Sequence, residues 1–439
     1  MGVCKVKAKL IYVMFSICLL FLPAFNASFV SLSASAVSSY TLPPPLFMNT
    51  SIDNVIQKRT CIRVFSNETV TDEQLSTILW SAYGVRDDGI RTVSQINGSL
   101  AVKIYVVKED AVYWYDPYSH SLVFHKAGDY RGIGQYWAPV LLGLVWDRGL
   151  NKNENIVGAQ IGQVGQNIIL AAISLGLGTV PTNDFITPLM DINLPLNEVG
   201  KLVMPLGHPI KPTIWKYRPL YFSLLPRVMD SGVSLTEVLE NRNLTKVFGN
   251  RNLTMKNISQ MLWACYGYSY YVDVPNSASI FGQRHRTVPS GHGYYPLCIY
   301  AVTSSGIYRY VHGLKPMDPH GLTIVSFLWK IRSGDYREKI AKCSESYLKD
   351  APLLIISVLN LEHTKKRGVV GDDFSAPEIR WVWYYEAGSC AQNVLLDSAA
   401  WGLSGNIVEI SDQENICSLL RLDQDFIPLF VTPVGGSSK

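Results

Sequence analysis

Apolar residues recur along this chain at two spacings, and most of the patterned stretches occur twice. Residues 51–57 and Asp72–Tyr83 carry them at the three- and four-residue intervals of a half-buried helix. Thr71 and Thr254 stand where a helix N-cap is expected, because a hydroxyl oxygen there accepts from an otherwise unpaired backbone N–H. Residues 102–107 and 298–302 are rich in β-branched and aromatic side chains and read as strands, with 112–115 and 307–310 as partners across short turns. Residues 140–145 and 353–359 are short and wholly apolar, the pattern of central strands covered on both faces. Residues 162–175 and 388–401 read as buried helices ending at Gly176 and Gly402, since glycine takes the left-handed conformation that stops a helix. Strands mixed with helices predict an α+β layered domain.

The pairing of these stretches is a duplication. Residues 51–85 and 234–268 align without a gap, with 12 identities in 35 positions, among them Arg59/Arg242, Phe65/Phe248, Trp80/Trp263 and Gly84/Gly267. Arg91-Thr92-Val93 then matches Arg286-Thr287-Val288, and Tyr113-x-Tyr115 matches Tyr308-x-Tyr310. Gly162, Gln166, Asn167, Leu170, Gly176 and Leu177 match Gly388, Gln392, Asn393, Leu396, Gly402 and Leu403, and the repeats close on Pro205-x-Gly207 and Pro433-x-Gly435. The expected organisation is a first unit over 37–208, a proline-rich linker over 209–233 and a second unit over 234–439. Two copies of one self-complementary unit can pack about a pseudo-two-fold axis and so form a dimer within a single chain. Once joined, the two seams between the copies are free to diverge.

Residues 1–36 read as a secretory signal peptide. Lys5, Lys7 and Lys9 precede an apolar run over residues 10–25, and Ala34-Ser35-Ala36 has the small-residue form of a cleavage site. The expected location is therefore extracytoplasmic, with membrane attachment only if this segment stays uncleaved. Charge adds an exclusion. The 39 Lys and Arg against 35 Asp and Glu give +4, and without the three N-terminal lysines the balance is +1. That is no basic surface for nucleic acid. Six N-x-S/T sequons, at Asn49, Asn67, Asn97, Asn243, Asn252 and Asn257, are consistent with export and a glycoprotein. Six cysteines lie beyond the leader with no C-x-x-C spacing, so no metal site is expected, and some could pair as disulfides.

Three segments carry candidate chemistry. Arg59 and Arg63, four residues apart with Thr60 between them, suit a phosphate clamp, because guanidinium groups bind phosphate through paired planar hydrogen bonds. The same spacing also suits a solvated basic helix end. Repeat two has the weaker set Arg242, Asn243 and Lys246. Pro289-Ser290-Gly291-His292-Gly293-Tyr294-Tyr295-Pro296 is a loop whose glycines let backbone N–H groups approach a planar ligand. Repeat one has Ser94-Gln95-Ile96-Asn97-Gly98-Ser99-Leu100-Ala101 there, without either proline or the first glycine. Leu175-Gly176-Leu177-Gly178-Thr179-Val180-Pro181-Thr182-Asn183 either stops a helix or presents backbone groups to a ring system.

Taken together, Arg59-x-x-x-Arg63-x-Phe65, the 289–296 loop, and Gln166-Asn167 leading to Gly176-Leu177-Gly178 resemble the nitroreductase superfamily of FMN enzymes. Leu262-Trp263-Ala264-Cys265-Tyr266-Gly267, Gly306-Ile307-Tyr308-Arg309-Tyr310 and Glu386-Ala387-Gly388 are similar to its SagB-type dehydrogenase branch. The resemblance implies two nitroreductase-like units, each a mixed sheet flanked by helices, with FMN held between them. Carried over, Arg59, Thr60, Arg63, Pro181, Thr182, Asn183 and Lys211 of the first repeat would hold the cofactor with Pro289, Ser290, Gly291 and Gly293 of the second. The opposite seam would be degenerate, leaving one FMN per chain. His292 and Tyr294 are the acid–base candidates beside the loop. The implied activity is hydride transfer between flavin and a small or peptide-linked substrate. The rival expectation is a secreted, non-catalytic ligand-binding module with degenerate sites.

Overall fold

The computed structural model describes residues 39–182, 189, 191–211, 214–216, 221–249, 251–273, 283–312, 324–365 and 374–437. Asn183 and the proposed leader lie outside these residues.

In the first repeat, Ser51 caps helix α1 (Ile52–Gln57), its side chain accepting from Asn54 N. Thr71 and Gln74 form a reciprocal capping box on α2 (Asp72–Tyr83), as the Thr71 pattern predicts. Strands β1 (Tyr40–Thr41), β2 (Val102–Val107), β3 (Ala111–Asp116), β4 (Ser121–Ala127) and β5 (Val140–Asp147) precede helix α3 (Glu154–Ser174), which leads to β6 (Gly178–Thr179) and β7 (Glu198–Gly207). They form an antiparallel sheet in the order β1-β4-β3-β2-β5-β7-β6. β5 is central and buried at every position, as its unbroken apolar run requires.

The linker is not a loose tether. It supplies β8 (Ile214–Lys216) and β9 (Tyr221–Ser223). The second repeat follows with α4 (Leu235–Asn241), α5 (Met255–Tyr266), β10 (Tyr268–Asp273), β11 (Gln283–Arg286), β12 (Leu297–Thr303), β13 (Gly306–His312), β14 (Ile324–Ser333), α6 (Arg337–Lys342), β15 (Leu353–Asn360), α7 (Trp381–Ala400), β16 (Ser404–Gly405), β17 (Val408–Glu409), α8 (Gln413–Leu420) and β18 (Phe426–Gly435). Its main sheet runs β16-β18-β15-β12-β13-β14-β9, which repeats the first sheet's order until β9 joins in parallel on β14. β8 adds to β10. Both linker strands therefore belong to second-repeat sheets.

The fold is α+β, and residues 39–439 form one compact unit in which the repeats share a core. The contacts between them are reciprocal. Ser51 pairs with its own counterpart Ser234. Gln166 Nε2 donates to Asn393 Oδ1 at 2.8 Å, and Gln392 Nε2 donates to Asn167 Oδ1 at 2.9 Å. Asn167 and Asn393 then bind the carbonyls of Thr92 and Thr287, themselves counterparts. Contacts between counterparts in both directions are what a two-fold relation produces.

At the centre, α3 crosses α7. A Cβ on Gly162 would clash with the Tyr385 carbonyl oxygen, and one on Gly388 with the Ala159 carbonyl oxygen. Backbone meets backbone there, so no side chain can move aside. Both helices begin earlier than their patterns suggest, at Glu154 and Trp381. Gly158, Gly162 and Gly165 read locally as helix breakers, but the first two let the backbones approach and the third makes room for the Tyr385 ring. Both helices end as predicted. Leu177 N donates to Ala172 O and Leu403 N to Ser398 O, each at 2.8 Å, with Gly176 at φ 73° and Gly402 at φ 64°. Helix α3 is long and apolar enough to cross a membrane, yet it is almost wholly buried in this core. All six described cysteines are free thiols.

Candidate functional site

The seam predicted from sequence is a cavity of about 260 Å³. From the first repeat it is lined by Cys61 and Arg63, which follow α1, by Gln135 and Tyr136, by Val180, Pro181 and Thr182 after β6, and by Leu202 on β7. The second repeat contributes Pro289, Ser290, Gly291, His292 and Gly293, with Trp381, Val382 and Tyr385 from the first turns of α7. The two repeats thus bring Arg63, Pro181, Thr182, Pro289, Ser290, Gly291, His292 and Gly293 to one place.

Arg59, Thr60, Lys211 and Tyr294 do not line the cavity. Arg59 is 1% exposed and holds the partner repeat: Nε donates to Arg286 O at 2.7 Å, and Nη2 lies 3.3 Å from His285 Nδ1. A guanidinium only donates, so His285 Nδ1 is the acceptor. Burial, followed by the charges of Arg59 and Arg63, lowers the His285 pKa to about 3 and keeps the ring neutral. Arg242 copies this arrangement, with Nη2 donating to Arg91 O at 2.9 Å and Nη1 to Ser94 Oγ at 2.6 Å. The first arginine of each clamp is thus occupied in joining the repeats. Arg63 is half-buried and donates only to Cys61 O, at 3.4 Å, among the contacts resolved for it. Thr60 is buried and lines a neighbouring cavity of about 370 Å³. Lys211 is exposed and is not among the residues lining the Arg63 cavity. His292 is exposed, has φ 51° and stacks on Phe374 at 4.4 Å. Tyr294 packs edge-on to Phe374 and stacks with Trp383, outside the lining.

Sequence reasoning gave no role to Glu386. It is fully buried on α7 and binds two side chains of the same repeat: Ser290 Oγ donates to Oε2 at 2.5 Å, and Tyr266 Oη donates to Oε1 at 2.5 Å. Desolvation, opposed by those hydrogen bonds and by the charge of Arg286, pushes its pKa up to about 7. A signal was present: Glu386 is the only charged residue between Trp381 and Leu396. Arg286 itself sits among the rings of Tyr266, Tyr268 and Tyr295, at 4.4–4.8 Å from their centroids.

The opposite seam also encloses a cavity, of about 1110 Å³, lined by Gln95, Asn97, Gly98, Leu244, Lys246, Ile407 and Val408 among others. Its loop has lost the prolines and the first glycine but not its course. Asn97 and Gly98 take φ 54° and 74°, against 51° and 72° for His292 and Gly293. Asparagine tolerates the left-handed region, so the turn survives the change of side chains. The two seams differ in their helix walls, where Trp381 and Tyr385 correspond to Asn155 and Ala159 in repeat one. They also differ in how the loop is anchored. Gln160, the counterpart of Glu386, uses its amide to bind Ala101 N at 2.9 Å and Ser99 O at 2.7 Å.

Comparison with known proteins agrees with the duplicated fold. The nitroreductase family model matches residues 56–208 and again 239–436, one match per repeat. A Methanocaldococcus jannaschii protein assigned by inference as a nitroreductase is 31% identical over 186 residues, covering 36% of this chain and 92% of its own length. The crystal structure of an Anabaena variabilis protein assigned to the same class superposes with a TM-score of 0.63 at 15% identity, covering 89% of this chain and all of its own. At that identity the likeness concerns the fold alone. One from Ralstonia eutropha is 26% identical over 40% of this chain and 90% of its own, with a TM-score of 0.38. With the family pattern present in both repeats and the two packed as one reciprocal unit, this chain belongs to the nitroreductase family of oxidoreductases, as a tandem duplication.

Proposed function

We propose that the chain is an exported, FMN-dependent oxidoreductase of the SagB type, binding one flavin in the Arg63–Ser290 seam. The observation that carries this reading is the convergence of a half-buried arginine from one repeat and a glycine loop from the other on a single cavity, in a family that typically uses flavin. The residues present suit such a group. Gly291 and Gly293 line the cavity without a side chain, so backbone groups of the loop are left open to a planar ring there, and a Cβ on Gly291 would come within 3.0 Å of Val382. Bound FMN would supply hydride transfer. The chain would bind the phosphate through Arg63, contact the ring with backbone groups of the 289–293 loop and with Thr182, and limit water through Trp381 and Tyr136. His292 is the exposed titratable side chain at the rim and the candidate proton carrier. Substrates would be small or peptide-linked, as in the SagB branch.

The deciding experiment is an absorbance spectrum of the purified chain. Flavin bands at about one FMN per chain are expected, and a roughly tenfold or greater loss of FMN affinity in Arg63→Ala, since a charge-assisted phosphate contact is worth about 1.5–3 kcal/mol. A colourless protein that takes up no added FMN would leave the non-catalytic module as the better reading, and two flavins per chain would show that the opposite seam also binds. Arg63→Ala is the informative variant because Arg59→Ala would also unpair Arg286 O and His285.

Export rests on the leader pattern. Five sequon asparagines, Asn49, Asn67, Asn97, Asn243 and Asn252, are exposed, while Asn257 accepts from Thr254 N in a helix cap. N-terminal sequencing of protein recovered outside the producing cell should begin at Val37. An intact N-terminus on membrane-bound protein would indicate an anchor instead, and an intact N-terminus on cytosolic protein would overturn export.

A further inference from the structure

We propose that Glu386 and Ser290 form a proton-holding pair, in which the charge state of the buried carboxyl decides whether the Ser290 hydroxyl faces the carboxyl or the cavity. The proposal rests on reading that cavity as the flavin site. Its geometry does not depend on a ligand.

Ser290 lines the cavity and is half-buried, while Glu386 lies fully buried behind it. Besides meeting the carboxylate at 2.5 Å, Ser290 Oγ accepts from Tyr295 N at 2.9 Å. A hydroxyl has one proton to donate and two acceptor sites. With Glu386 ionised, the proton points at Oε2 and the hydroxyl presents no donor to the cavity. With Glu386 protonated, its O–H donates to Ser290 Oγ, Tyr295 N fills the second acceptor site, and the hydroxyl proton is left for an acceptor in the cavity. Passing that proton on while Ser290 takes the carboxyl proton returns the pair to its ionised state. One O–H bond breaks at the carboxyl, one bond to hydrogen forms at the acceptor, and no electron moves.

The surroundings favour an exchangeable proton over a permanent charge. Packed around the carboxyl are Tyr266 and Cys265 on α5, Arg286 at the end of β11, Tyr295 in the loop, and Tyr385 and Cys390 on α7, with Arg59 of the first repeat beyond the tyrosines. Tyr266, Cys390 and Tyr385 are all pushed upward by burial and stay neutral. Arg286 is the nearby full charge, and its guanidinium is shared with three tyrosine rings, Tyr266 O and Tyr268 Oη. The carboxyl therefore titrates near neutrality, where a proton carrier is most useful. Repeat one has neither member of the pair. Gln160 and Gln95 stand at the corresponding positions, so only one seam has this device.

Glu386→Gln copies what repeat one already carries, so the fold should tolerate it. The test is infrared spectroscopy of the whole purified chain, following the protonated-carboxyl band with pH and after transfer to heavy water. A band titrating near neutrality and missing in Glu386→Gln is expected. Ser290→Ala should keep the band but slow its exchange with solvent by roughly tenfold or more, since the hydroxyl is the route outward. With FMN bound, a pH-dependent flavin band shift should disappear in both variants. If no band between about pH 5 and about pH 9 is lost in Glu386→Gln, or if Ser290→Ala exchanges as fast as wild type, the pair is not a proton store. A chain that binds no FMN would sink the cofactor reading and still leave the infrared result to decide this one.

Discussion

Gly162→Ala is expected to cost about 3 kcal/mol or more of stability and to disturb both seams, although it adds one methyl group. The added carbon would meet the Tyr385 carbonyl oxygen and, close by, Ser389 N. Both are backbone atoms of α7, so relief requires the helices to move apart. That movement strains the pairings of Gln166 with Asn393 and of Asn167 with Gln392, which span the same crossing. Gly388→Ala should behave alike, and the double variant should cost less than the two together, since the first separation makes room for the second carbon. Gly132→Ala is the control. Nothing lies within 4 Å of its Cβ position, and a change within about 0.5 kcal/mol is expected. Denaturant unfolding of the four variants beside wild type checks the set. Equal midpoints for Gly132→Ala and Gly162→Ala would mean that the helix crossing does not hold the repeats together.

Stability should also fall as pH rises through the range in which Glu386 loses its proton. Its folded pKa of about 7 lies above the ordinary 4.5, so between these values the native state retains a proton that the unfolded chain has released. The contribution is fully present below about pH 4.5, declines above it and is lost once pH passes about 7. At 1.36 kcal/mol per unit, the span corresponds to about 3 kcal/mol. Asp397, pushed upward by burial and by the neighbouring Asp53, acts in the same sense. Glu386→Gln removes the first contribution and leaves the second. Unfolding free energies at about pH 5 and about pH 8 should therefore differ by about 2.5 kcal/mol less in the variant than in wild type, since part of the contribution is already lost at about pH 5. Parallel pH profiles would show that the carboxyl does not titrate on folding.

Much of this architecture could be read along the chain because its causes are local or repeated. Thr71 and Thr254 cap helices with a hydroxyl, and Gly176 and Gly402 stop helices with positive φ. Duplication made each reading twice over and exposed the Pro289–Pro296 loop by contrast with its changed counterpart. The errors were local too. Reading α3 from Gly162 missed two turns, because glycines that break an isolated helix are tolerated where a second backbone presses against them. The linker prolines mark the stretch between the repeats but give no hint that strands β8 and β9 within it pair with the second repeat. Strand pairing between distant segments leaves little trace in local pattern.

The candidate site divides in the same way. Motif spacing brought Arg63, the 181–182 segment and the 289–293 loop into consideration, and folding puts them around one cavity. Nothing in that spacing separates Arg59 from Arg63. The first is spent on Arg286 O across the repeat boundary, and only the assembled seam reveals it. For Glu386 the sequence shows only a lone charge in an apolar stretch; its importance comes from total burial beside a hydroxyl 96 residues away. By itself the sequence determined the duplication, the kinds of element and the family, since these follow from periodicity, capping and repeated motifs. The tertiary structure alone decided which polar groups bind one another and which face open space, because hydrogen bonding and desolvation depend on distances between residues far apart in the chain.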